Sequence, residues 1–228
     1  MKKFAVVLAG CGVFDGAEIH EATLAMLAIA QAGGQYQCFA PDIEQHHVIN
    51  HLNGQEMPEK RNVLVESARI ARGEIKPLSE FKASDYDAIL FPGGYGAAKN
   101  LSTVAFDGAE ATVNEEVAAA IKAMHAAKKP IGAMCISPTF VVKVLGEVDV
   151  TIGTDQDTIE VIENMGGVHV QTEHGDVVLD ASNSLFTTPC YMLEATINDI
   201  WDGAYNIVDA MMKSLNNKDE DLDNSDEE

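Results

Sequence analysis

The chain has 228 residues, enough to bury a full core in one domain of ordinary size. Its 46% hydrophobic and 6% aromatic content, with much Ala, Val, Ile and Gly, suits an α/β protein of buried strands and tight turns. Acids outnumber bases 36 to 15, a formal net charge of −21; phosphate binding draws on Lys and Arg, so nucleic acid is excluded as an expected partner.

The first residues, MKKFAVVLAGC, end in the LAGC pattern of lipoprotein cleavage sites. The run Phe4 to Ala9 is shorter than the roughly 7–15 apolar residues of an export signal, and it reads better as a first core strand. No later segment approaches the ~18 apolar residues of a membrane span, so no membrane association is expected. The strand FAVVLA (4–9) is fully apolar, as strands covered on both faces are, and a glycine-rich loop through Gly16 ends it. A helix follows over 17–32, closed by Gly33 and Gly34. YQCFAP (36–41) is a second strand, 43–60 a polar loop with His46, His47 and His51, and 62–72 a helix. DAILFP (87–92) is a third strand ended by the glycine loop PGGYGAAKNL, and an alanine-rich helix spans 114–128 with acids first and lysines last, as the helix dipole prefers. PIGAM (130–134) is a fourth strand, and a helix begins near Pro138. VDVTIG, a helix through TIEVIENMGG, short strands around VHV, DVVLD and SLFTT, and a helix over 192–215 complete the domain.

Strands and helices alternate almost throughout, which predicts an α/β fold with an open, mostly parallel sheet and helices on both faces, residues 1–215 forming one domain. In the last eleven residues, KDEDLDNSDEE, seven carboxylates accompany one lysine and one apolar side chain, so 216–228 is expected to be a disordered acidic tail. The four cysteines form no CxxC pair, so neither a zinc site nor a disulfide framework is expected; a reducing, cytoplasmic setting fits. The three loop histidines lack HExxH spacing and read as a wet surface loop, so no metal is expected.

Ligands of such sheets gather beyond the carboxyl ends of the strands. Cys135 sits there, in the turn between strand and helix where a strained elbow lifts a side chain clear of the sheet. Read from position alone it is either a nucleophile, its thiolate favoured by the N–H groups of the following helix, or a small buried hydrophobe. Glu21 shares a helix face with Leu24, Ala25 and Ala28, which points it inward, where desolvation raises a carboxyl pKa; the alternative is an acid that, like Glu18, stabilises the helix start. His20 lies on another face of the same helix. FPGGYGAAKNL lacks the Lys-Ser or Lys-Thr of a P-loop; Gly93 and Gly94 could offer N–H groups to an oxyanion, or simply make a tight turn. Cys11 and Cys38 read as core residues, and Cys190 has no account from sequence.

GAEIHE (16–21), FPGGYGAAKNL (91–101) and AMCISPT (133–139), in this order, resemble the PfpI/DJ-one superfamily, and most closely its ElbB branch, linked to isoprenoid biosynthesis and described as glyoxalase-like. The resemblance covers about residues 1–215. It implies a flavodoxin-like three-layer sandwich, a homodimer, Cys135 as nucleophile, Glu21 donating a hydrogen bond to its sulfur, and no cofactor. The implied reaction is the glutathione- and metal-independent conversion of glyoxal or methylglyoxal, small reactive dicarbonyls, to glycolate or lactate, or its expression as deglycation. Gly93, Gly94 and the Ile136 amide after Cys135 would serve substrate and oxyanion. An alternative is a redox-sensing stress-response protein with an oxidisable Cys135. Three departures matter. Ile136 stands where the peptidase branch has histidine; no Pro-x-His-x-Glu pair of the amidotransferases follows Phe186; and Asp155 stands where some members carry a histidine, which predicts slow turnover.

Overall fold

The computed structural model describes residues 1–225, with side chains to Asn217. Its elements in chain order begin with β1 (Lys3–Val7), α1 (Ile19–Gln31), β2 (Gln35–Ala40), the hairpin β3 (Ile49–Asn50) and β4 (Gln55–Glu56), α2 (Val63–Ile70), β5 (Ile75–Pro77) and β6 (Ala88–Phe91). They continue with α3 (Tyr95–Lys99), α4 (Val104–Asp107), α5 (Glu115–Ala126), β7 (Ile131–Met134), α6 (Pro138–Leu145), β8 (Asp149–Val150), α7 (Gln156–Asn164), β9 (Val168–His169), β10 (Val178–Asp180), β11 (Leu185–Thr188) and α8 (Ile197–Ser225).

Seven strands form one sheet in the order β10-β11-β7-β6-β1-β2-β5. Every neighbouring pair is parallel except β10 with β11. Helices cover both faces, giving the flavodoxin-like sandwich. The central strands β6, β7 and β11 are buried along their whole length, which is why they carry no charged side chain. Side chains at β7 vary in size to let the layers close: a Cβ on Gly132 would come within 2.7 Å of Met211 Sδ, so the glycine lets α8 approach the sheet. Phe91 of β6 and Phe140 of α6 meet edge to face, with ring centroids 5.4 Å apart. α1 and α8 lie side by side.

Differences from the expected elements have local causes. The polar loop contains the β3–β4 hairpin, and the glycine loop continues into α3. β5 is a three-residue edge strand containing Lys76 and Pro77, too short and too polar to show as an apolar run. The last helix starts at Ile197 because Cys190–Met192 first makes a 3₁₀ turn. The Asp199 carboxylate then closes the start, accepting from Thr196 N at 2.7 Å and from its hydroxyl at 2.6 Å. Of the acidic segment 216–228 expected to be disordered, α8 takes in the part through Ser225, with no Gly or Pro to stop it; side chains from 218 on and residues 226–228 lie outside the described residues. Among the described residues no helix is long and apolar enough to cross a membrane.

Candidate active site

Cys135 follows directly on β7. Its N–H donates to Thr188 O of β11 at 3.0 Å, so the sheet pattern holds up to this residue. The chain then turns with Cys135 at φ 58°, in the left-handed region, which costs an L-residue roughly 1–3 kcal/mol. Ser137 holds the turn from below: its N–H donates to Met134 O at 3.0 Å and its hydroxyl to Pro92 O at 2.8 Å. Pro138 opens α6, where its missing N–H is not needed. The strained strand-to-helix elbow expected from PIGAMCISPT is present.

Glu21 comes to the elbow from α1. The helix is capped by Glu18, whose carboxylate accepts from Glu21 N at 2.7 Å. Glu18 N in turn donates to Gly93 O at 2.9 Å, which fixes the first turn of α1 against the loop after β6. This places the Glu21 carboxyl at 0% exposure beside Cys135, to which it is hydrogen-bonded. Gly93 N donates to its Oε2 at 2.8 Å and Tyr191 N to its Oε1 at 3.3 Å. Glu21 is therefore the inward acid, and Glu18 the capping one.

Burial, then the neighbouring Glu18 charge, push Glu21 up to about 8. Burial, then the Glu21 carboxylate, push the Cys135 thiol up as well, while the N–H groups of Gly94 and Ile136 directed at the sulfur pull it down. The lowered thiol pKa expected from the helix start is thus corrected. The amides act in the expected direction, but desolvation of the thiol of a residue only 7% exposed outweighs them. Gly93 also differs from expectation: its N–H is committed to Glu21, which leaves Gly94 and Ile136 as the amides facing Cys135. Glycine is required at 93 for another reason, since a Cβ there would collide with Cys135 Cβ and come within 2.7 Å of Glu21 Oε2.

The sulfur opens on a cavity of about 230 Å³ whose wall includes Gly94, Tyr95, Ile136, Asp155 and Tyr191. Two of these were not legible as one site. Asp155 is the N-cap of α7, accepting from Thr158 N at 2.9 Å. Tyr191 brings its hydroxyl to 2.7 Å from Nδ1 of His20, so the outward face of α1 is joined to the cavity wall. No histidine is among the described residues that line the cavity. Elsewhere, His46 and His47 pack on Phe106, His51 lies 4.8 Å from the Phe14 ring, and among the described residues no group of three or more His, Cys, Asp or Glu is placed to hold a metal ion. Cys38 is a core residue, Cys11 is half-buried, and Cys190 is buried at φ 43° near Glu21 and Cys135.

Comparison with known proteins places this geometry. The chain is 46% identical over 211 residues to the human glutamine amidotransferase-like class 1 domain-containing protein 3, mitochondrial, covering 88% of this chain and 79% of that one. A crystal structure from Ehrlichia chaffeensis, described as an isoprenoid biosynthesis protein with amidotransferase-like domain, superposes with a TM-score of 0.89 at 38% identity, covering 94% of this chain and 100% of that chain. The chain belongs to the family of glutamine amidotransferase-like class 1 domain and ES1 proteins. The fold is shared with DJ-1beta of Drosophila melanogaster, with a TM-score of 0.55 at 17% identity over 97% of each chain. No protein-family model matches the chain. The cytoplasmic setting inferred from unpaired cysteines is corrected by these relatives: the human protein and the ES1 proteins of rat and zebrafish are all named mitochondrial. Unpaired cysteines report a reducing environment and do not distinguish one compartment from another.

Proposed function

We propose that this protein, whose motifs resemble those of the PfpI/DJ-one superfamily, is a glyoxalase-like enzyme that converts glyoxal or methylglyoxal to glycolate or lactate without metal or glutathione. The observation that carries the reading is the buried Glu21 carboxyl hydrogen-bonded to Cys135 at the floor of an open cavity. Two acids in contact cannot both ionise cheaply, so the first proton leaves the pair near pH 8. The remaining proton rests on the thiol, which is held above the carboxyl; its passage to Glu21 gives the reactive form, in which the carboxyl donates to the sulfur and the Gly94 and Ile136 amides hold the thiolate.

The sulfur adds to the aldehyde carbon, forming a C–S bond, and the proton held by Glu21 passes to the new alkoxide oxygen. Glu21, now ionised, removes the C–H proton of the hemithioacetal and returns it to the adjacent carbon. The hydroxyl proton of the hemithioacetal passes to the oxygen of that adjacent carbon, which is reduced as the sulfur-bearing carbon becomes a thioester, so no outside oxidant is consumed. Water adds to the thioester carbon, the C–S bond breaks, the thiol recovers its proton and the hydroxy acid leaves. The two backbone amides also meet the oxygen charge that develops beside the sulfur. Both proton transfers fall on Glu21, which makes slow turnover the expectation. The same sequence on a glycated amine would be read as deglycation.

Two rival readings are weaker. A peroxide sensor works best with an exposed thiolate of low pKa, whereas Cys135 is buried and its thiol is pushed up. Glutamine hydrolysis by a Cys-His-Glu triad needs a histidine that the cavity wall does not supply. Incubation with glyoxal, with glycolate followed by NMR, tests the proposal: the wild type forms glycolate and Cys135→Ser does not. Activity that survives the substitution rejects the mechanism. A homodimer is part of the same reading, and sedimentation at twice the chain mass checks it.

A further inference from the structure

The Cys135 cavity has a neighbour. Tyr95, Ile136 and Thr158 line it on one side, and the same three residues line a second cavity of about 200 Å³. Ala98, Val104, Ala105, Val161 and Asp157 complete this annex, whose surface is almost wholly apolar. It is built where the short helices α3 and α4 lean towards α7. Glyoxal has four heavy atoms, no more bulk than a few waters at about 30 Å³ each. The cavity at the sulfur alone, at about 230 Å³, already exceeds that need, and nothing in the proposed chemistry calls for an annex.

Charge narrows the occupant further. Among the described residues that line either cavity there is no Lys, Arg or His, and the only ionisable carboxyls are Asp155 and Asp157. Lys99 is nearby but engaged, its ammonium donating to Phe14 O at 3.0 Å and lying over the Tyr95 ring. A phosphate or carboxylate on the substrate would enter without a counter-charge and against two acids, on a chain of net charge −21.

Resting on the reaction proposed above, we infer that the physiological substrate is a neutral 2-oxoaldehyde carrying an apolar tail, its aldehyde at Cys135 and its tail in the Ala98–Val104–Ala105–Val161 annex. The chemistry is unchanged: the aldehyde carbon is oxidised, the adjacent ketone carbon is reduced, and one water is consumed. The annex shares Tyr95, Ile136 and Thr158 with the nucleophile's cavity, and this adjacency is what favours a substrate tail over a separate ligand. It also excludes a glutathione adduct, whose carboxylates would meet Asp155 and Asp157.

The test compares kcat/KM for glyoxal, phenylglyoxal and 4-carboxyphenylglyoxal in the wild-type protein and in Ala105→Trp, which fills the annex from the exposed side of α4. Phenylglyoxal is expected to exceed glyoxal by about tenfold or more, the gain of burying several apolar groups in a fitted pocket. The added carboxylate is expected to cancel that gain. Ala105→Trp is expected to lower kcat/KM for phenylglyoxal at least about fivefold more than for glyoxal. Glyoxal turned over as well as phenylglyoxal by the wild type, as would follow if a second copy of the chain covered the annex, overturns the inference and leaves the reaction standing. Equal losses on both substrates in Ala105→Trp do the same. Turnover of none of the three overturns the reaction itself.

Discussion

Cys38 and Cys135 are both buried and both have thiols pushed up, yet their surroundings differ in kind. Cys38 lies within β2, its sulfur 3.5 Å from Met26 Sδ, and burial alone pushes it up to about 12. Cys135 stands one residue beyond its strand, at φ 58°, with two amides and a carboxyl directed at the sulfur. Burial alone therefore does not tell a core cysteine from a candidate nucleophile. What separates the two is whether the fold supplies a partner able to stabilise the anion and exchange its proton.

The largest expected effect breaks the comparison outright. Cys135→Ser is expected to lower glycolate formation by at least about 10³-fold, while Cys38→Ala leaves the rate within about twofold and costs roughly 1–2 kcal/mol of stability, as a small core cavity does. Steady-state kinetics and denaturant melts on the two variants read both. Equal losses of rate would erase the distinction between the cysteines.

Removing the partner sharpens it. Glu21→Gln keeps the shape but cannot carry a proton, so kcat is expected to fall roughly 10²-fold. Alkylation of Cys135 by iodoacetamide is expected to move to lower pH in the same variant, because the carboxylate that raised the thiol is gone. A variant both slower in turnover and easier to alkylate separates proton transfer from nucleophile formation. Stability follows with a defined sign. Between the ordinary 4.5 and about 8, folded Glu21 keeps a proton that the unfolded chain has released, so wild-type stability falls as pH rises through that window. Relative to Glu21→Gln, the loss is expected to total roughly 3–5 kcal/mol, and urea melts at pH 4.5 and 8.5 measure it.

The smallest effect concerns the contact between the two site elements. Gly93→Ala is expected to cost roughly 1–3 kcal/mol, since its Cβ would strike Cys135 Cβ. Thermal melts check it against Gly33→Ala, a position also at a loop but with open space around it, where only the left-handed backbone at φ 76° opposes the change.

The fold and the two central residues were legible because their signals are local. Ile131 to Met134 are apolar, Pro138 opens a helix, and the residue between must turn; Glu21 is bracketed by Leu24, Ala25 and Ala28 on one helical face. Tyr191 was not legible, since it meets Glu21 across 170 positions of chain and no pattern in CYML marks it. Gly93 was read as an oxyanion donor because sequence shows that an N–H is present and not where it is already engaged. The direction of the Cys135 shift was missed for a related reason: desolvation is a property of the closed fold, whereas a helix start can be seen in the letters. Asp155, noted where a histidine might stand, does reach the cavity wall, although its carboxylate also caps α7.

Gly93 grips α1 from two sides, its carbonyl receiving Glu18 N and its N–H meeting the Glu21 carboxyl. The sulfur, the loop and the helix thus share one mechanical joint, and that helix packs along α8. On the reaction proposed above, loosening α8 at a distance is expected to change the chemistry of the thiol before the sheet gives way, which would make alkylation of Cys135 a gauge of how firmly the last helix is seated.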